Sequence, residues 1–131
     1  MAVKEHIIET ETGCGWLEDD IIHYIFKKSK VDLPEAKESV EIMTTIAEEK
    51  AYPYLIDMSR MKTITKEARA YLAIPRSSEK NIATAALTPN LIAKLIGTFF
   101  ISFNNPSVRI KLFTEEHEAI RWLKKEASAR I

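Results

Sequence analysis

Apolar positions along this chain recur first at period two, then at period 3.6, and then alternate between the two. That switching outlines the elements. Residues 3–12 are rich in β-branched side chains and partly alternate, which predicts a strand. Gly13-Cys14-Gly15 then reads as a flexible turn. Trp16-Leu17 and residues 21–26 (IIHYIF) continue as strands around an Asp19-Asp20 turn, and one of His23 and Tyr24 is expected to face outward. Asp32 is a good N-cap and Pro34 fits a first helical turn. From there Leu33, Ala36, Val40, Met43 and Ala47 recur at spacings of three and four, widened by Ile42 and Ile46, so a helix is predicted to end near Lys50. Residues 54–58 form a short apolar run that stops at Asp57, and a second amphipathic segment runs over 65–74. The small-apolar run IATAAL at 82–87 fits a strand buried on both faces. Pro89 opens a third helix carrying Leu91, Ile92, Leu95, Ile96, Phe99, Phe100 and Phe103, and Asn104-Asn105-Pro106 ends it. VRIKLF at 108–113 alternates as a strand, and Thr114 is expected to cap a last helix with Glu115 and Glu116 in its first turn.

The order is three N-terminal strands followed by α-β-α-β-α-β-α. Strands alternating with helices imply an α/β fold whose sheet is mixed but mostly parallel, with four main helices. The N-terminal strands are expected to add an antiparallel hairpin at the sheet edge. The 131 residues suit a single domain spanning 1–131.

Composition narrows the function classes. Lys+Arg and Asp+Glu are both 19, so the formal net charge is zero and the basic excess of a nucleic-acid binder is missing. Cys14 is the only cysteine, which excludes an intramolecular disulfide and a cysteine-rich metal site and suits a reducing compartment. The first twelve residues lack an apolar stretch long enough for a secretory signal. The longest apolar stretch, 91–103, is interrupted by Lys94, Gly97 and Thr98 and falls short of the ~20 residues of a membrane span. These features predict a cytoplasmic protein.

A buried strand ending at a carboxylate just before a helix start is where open α/β sheets place their working surface. Asp57 either contacts a partner there or accepts hydrogen bonds from the turn at 59–62. Ser59, Thr63 and Thr65 place hydroxyls beside the helix start, with Lys66 next in sequence. Thr65 reads as a cap. As a phosphate acceptor it would set the new charge at the positive end of the helix dipole. His6, His23 and His117 lack metal-ligand spacing, so no metal and no cofactor is expected. Gly13-x-Gly15 lacks the third glycine of a phosphate loop. No nucleophile–base pair stands out, so no enzyme activity is expected. On the third predicted helix, apolar side chains cover about half the circumference, wider than a one-sided stripe. Leu95, Phe99, Phe100 and Phe103 are buried between elements, or form a homodimer interface, or line an apolar ligand pocket.

The order of elements, with Leu55-Ile56-Asp57-Met58-Ser59 and Thr63-Ile64-Thr65-Lys66-Glu67-Ala68, resembles the STAS family, the fold of bacterial anti-sigma-factor antagonists of the SpoIIAA type. In that family a strand ends at Asp, a short loop follows, and a helix begins at a D-S-x-G signature whose Ser a partner kinase phosphorylates. Here Thr65 stands at the signature Asp, Lys66 at the phosphorylated Ser and Ala68 at the Gly, so that switch does not carry over. The chain looks more like small bacterial proteins grouped with the SpoIIAA-like fold whose biochemical role is not established. The resemblance implies a non-catalytic interaction or regulatory module, homodimeric, that meets an unknown protein partner through Asp57, Ser59, Thr63, Thr65 and Lys66. The alternative is a carrier or sensor of a small apolar ligand such as a lipid, held beside the third helix.

Overall fold

The computed structural model describes residues 3–73, 81–88 and 110–129. Its elements in chain order are β1 (Glu5–Glu9), β2 (Gly13–Glu18), β3 (Ile21–Phe26), β4 (Lys30–Val31), α1 (Leu33–Ala47), β5 (Tyr52–Asp57), β6 (Thr63–Ile64), α2 (Lys66–Ala73), β7 (Asn81–Leu87), β8 (Ile110–Phe113) and α3 (Glu116–Ser128). Six strands form one sheet in the order β1-β2-β3-β5-β7-β8, and β4 and β6 form a separate pair. The β1–β2 and β2–β3 pairs are antiparallel, and β3–β5, β5–β7 and β7–β8 are parallel. The mostly parallel sheet with an antiparallel N-terminal edge is therefore present. Among the described residues there are three helices rather than four. The helix expected over 89–103, with Leu95, Phe99, Phe100 and Phe103, lies outside the described residues.

The two faces of the sheet carry different cores. On one, Ile22, Tyr24 and Phe26 of β3 and Tyr54 of β5 pack against Ala36, Ile42, Met43, Ile46 and Ala47 of α1 and Ala68 of α2. On the other, Ile21, Leu55, Ala83 and Ala85 meet Ala119 and Leu123 of α3. Alanines in β7 leave a shallow floor, and Leu123 is fully buried on it. His23 and Tyr24 are both buried, Tyr24 in the core beneath α1 and His23 against the Trp16 ring, and neither faces outward as the alternation had predicted. His23 stacks on Trp16 at 5.1 Å between ring centroids, and burial holds its imidazole below the ordinary pKa.

Two local expectations change. Gly13-Cys14-Gly15 is not a turn but lies inside β2, and the turn is at 10–12, closed by the Thr10 N–H donating to the Gly13 carbonyl at 2.8 Å. The glycines are there for room. A Cβ on Gly13 would stand 1.8 Å from the Tyr24 hydroxyl oxygen, and one on Gly15 would stand 2.7 Å from Ile42 Cγ2 of α1. The N-cap of α3 is Glu115, without a side-chain capping bond, rather than Thr114. The Asp19-Asp20 hairpin forms as expected, with φ of 54° and 59°, the two left-handed residues of a tight two-residue turn.

Candidate functional site

Parallel strands β3 and β5 end side by side, Ile25 opposite Asp57, so the segments that follow them emerge from the same edge of the sheet. Asp57 is half-buried, and its Oδ1 accepts the Ser59 N–H at 2.8 Å. It therefore closes the turn that follows it. Met58 and Met61 are buried and pin the loop from below. The Met58 N–H donates to the Leu87 carbonyl at 2.8 Å, and the Met61 N–H to the Met58 carbonyl at 3.1 Å.

The loop is then stitched to the segment after β3. The N–H groups of Lys62 and Thr63 both donate to the Ser29 carbonyl, at 2.7 and 2.9 Å, and the Thr65 N–H donates to the Val31 carbonyl at 3.0 Å. Lys30 pairs with Thr63 and Val31 with Ile64 in the β4–β6 ladder. Val31 and Ile64 point into the core, so Lys30 and Thr63 stand exposed side by side.

Asp32 closes the arrangement. It caps α1, accepting the Leu33 N–H at 2.8 Å, while its own N–H donates to Glu35 Oε1 at 2.9 Å in a capping box. The Thr65 hydroxyl donates to the same Asp32 Oδ1 at 3.0 Å and accepts the Ala68 N–H at 3.2 Å, which caps α2. One carboxylate thus joins the starts of two helices. The Leu33 N–H, and after it the Thr65 hydroxyl, hold the Asp32 carboxyl below its ordinary pKa. A phosphoryl group on Thr65 would replace a donor with negative charge against Asp32, so the geometry assigns Thr65 to capping.

The structure thus gathers Asp57, Ser59, Thr63, Thr65 and Lys66 at one edge of the sheet, and gives them two kinds of role. Asp57 and Thr65 spend their polar atoms on the backbone and on Asp32. Ser59, Thr63 and Lys66 are exposed. The proposed apolar pocket residues lie outside the described residues. A cleft of about 340 Å³ does occur, at the opposite edge, lined by Asp19, Asp20, Ile21, Pro53, Lys124, Ala127 and Ser128. Its mouth carries the Lys124–Asp19 ion pair at 2.6 Å, which suits water better than an apolar guest.

Sequence reasoning found Asp32 as a cap but missed its second bond, because two-residue strands such as β4 and β6 leave no periodic signal. It also missed a polar knot beside the β1–β2 turn, where the hydroxyls of Thr10 (2.5 Å) and Thr12 both donate to Glu38 Oε1. Those two bonds hold the Glu38 carboxyl below its ordinary pKa. At the start of α3, Glu115, His117 and Glu118 bring one ligand atom each within 4.8 Å of one another, all exposed.

A family model described as "Domain of unknown function (DUF7793)" matches residues 15–127. No curated protein matches the chain. Among solved structures, an uncharacterized protein of the DUF3478 family from Shewanella loihica, described as having a SpoIIAA-like fold, superposes with a TM-score of 0.60 at 15% identity, covering 93% of each chain. At that identity the likeness establishes the SpoIIAA-like fold, as the order of elements had implied, and nothing about activity.

Proposed function

This chain belongs to the DUF7793 family, and from that premise and its SpoIIAA-like fold we propose that it is a non-catalytic, cytoplasmic protein-interaction module of regulatory type. It acts through the strand-end loop and the start of α2. The observation that carries this reading is the contrast within the loop. Its backbone is fixed by Met58, Met61, the Ser29 carbonyl and the Asp32–Thr65 bond, while Ser59, Thr63 and Lys66 are presented to solvent. A surface held in advance loses little conformational entropy on docking, and that suits recognition without bond chemistry. Among the described residues no helix is long and apolar enough to cross a membrane.

The test is a pull-down from native lysate comparing the wild type with an Asp57→Ala, Lys66→Glu variant. One specific partner, lost in the variant, is the expected result. A partner set unchanged by the variant refutes this face. Self-association belongs to the same reading, through Leu95, Phe99, Phe100 and Phe103. Phe100→Glu should move a size-exclusion peak toward monomer, and an unshifted dimer peak excludes that interface.

A further inference from the structure

We infer that the sheet edge beyond β3 and β5 is a docking surface for an acidic protein segment; this rests on the interaction role proposed above and names the chemistry of its partner. Zero net charge hides how the charge is distributed. Lys28 and Lys30 lie in the segment after β3, Arg60 and Lys62 in the loop after β5, and Lys66 opens α2. These stretches are far apart in sequence and are bound together by the Ser29 carbonyl and the Lys30–Thr63 pairing.

All five cations are exposed, and none makes an ion pair with a described residue. The two carboxylates that feel these cations, Glu38 beside Lys28 and Asp32 beside Lys30, already accept other donors. Asp32 accepts the Leu33 N–H and the Thr65 hydroxyl, and Glu38 accepts the Thr10 and Thr12 hydroxyls. Other exposed acids lie at the opposite edge (Asp19, Asp20, Glu48 and Glu49, in the β2–β3 turn and after α1) or on the flanks of this one (Glu11 in the β1–β2 turn, and Glu115, Glu116 and Glu118 at the start of α3). Five exposed positive charges on a fixed frame, Lys28 and Lys30 partly offset by Glu38 and Asp32, attract an anionic partner and set its orientation.

The surroundings select the kind of anion. Among the described residues the exposed large apolar side chains are Val3 and Ile7, at the β1 edge, so none of them stands beside the five cations as a wedge for a bilayer. Asp57 and Glu67 are interspersed with the cations. A rigid duplex with fixed phosphate spacing would bring charge against them. An acidic polypeptide can steer its carboxylates to the lysines and accept hydrogen bonds from Ser59 and Thr63.

The probe is a fluorescein-labelled twelve-residue oligoglutamate, followed by anisotropy at low and moderate salt. Lys30→Glu with Lys62→Glu should weaken its binding at least ~10-fold at low ionic strength, and moderate salt should weaken the wild type by about as much. Lys28→Glu with Arg60→Glu is an independent second variant with the same expectation. Lys50→Glu with Lys125→Glu changes the net charge equally at the opposite edge and should change binding less than ~2-fold. Circular dichroism establishes that each variant is folded. No saturable binding overturns the inference. So does equal weakening by the Lys50 and Lys125 changes, or tighter binding to an oligonucleotide of equal charge or to phosphatidylserine vesicles. If the lysate pull-down yields a specific partner while oligoglutamate fails to bind, the interaction role stands and the acidic partner falls.

Discussion

Thr65→Val tests the junction on which the candidate site is built. Valine keeps the shape of threonine and removes Oγ1, so two bonds are lost together: the cap to the Ala68 N–H at 3.2 Å and the bond to Asp32 at 3.0 Å. Loss of an N-cap costs about 1 kcal/mol. Loss of a hydrogen bond to a charged acceptor costs about 1.5–3 kcal/mol when buried. Thr65 is only half-buried, so water replaces part of that second bond and its lower end applies. The sum is about 2.5 kcal/mol, which for a chain of this length lowers the Tm by roughly 8–10 °C. Urea and thermal unfolding followed by circular dichroism measure it. Thr65→Ser keeps both bonds and should stay within about 0.5 kcal/mol of the wild type. Because the Thr65 hydroxyl helps to hold the Asp32 carboxyl low, Thr65→Val should also reduce the loss of stability on acidification. Thr65→Val within about 0.5 kcal/mol of the wild type, or Thr65→Ser as damaging as valine, would falsify the shared-cap account.

Three further outcomes follow from the packing and the titrating groups. Gly13→Ala should destabilise by about 1–3 kcal/mol in urea, because its Cβ meets the buried Tyr24 ring, itself packed edge-on against Phe26 at 4.9 Å; a stabilised variant would show that Gly13 serves only as a flexible point. Leu123→Ala should cost about 3 kcal/mol by the same assay, since the alanine floor of Ala83 and Ala85 cannot close the cavity; a loss below about 1 kcal/mol would mean that α3 is loosely seated. His23 has its pKa lowered from 6.5 chiefly by burial, with Glu18 opposing, so below pH 6.5 the unfolded chain takes up a proton that the folded chain resists. Stability should therefore fall with pH from 6.5 downward, and His23→Phe should remove that step in a pH series of urea midpoints. Below pH 4.5 a second loss should begin as Glu38 and Asp32 protonate, since their folded pKa values lie beneath the ordinary 4.5 and 3.8. A flat profile from pH 7 to 3 would contradict both assignments.

Much of this architecture was written locally. The β2–β3 turn, the Asp32 cap, the inner stripe of α1, the apolar run ending at Asp57 and the small-residue strand β7 all follow from periodicity and capping chemistry within a dozen residues, and their alternation implied the parallel sheet. Other decisions needed the assembled molecule. Gly13 and Gly15 read as a turn because glycine permits one. Only the approach of Tyr24 and of Ile42 on α1 shows that they make room inside a strand. His23 could not be assigned to a buried position until β2 placed the Trp16 ring against it. The β4–β6 pair, the second bond of Asp32 and the basic rim each join residues about thirty positions apart. Contacts at that separation leave no trace in a local pattern, because they arise only when parallel strands deliver distant loops to one edge. Balanced composition concealed the rim for the same reason: a net charge is a sum over the chain, and the field at a surface depends on where folding places each term.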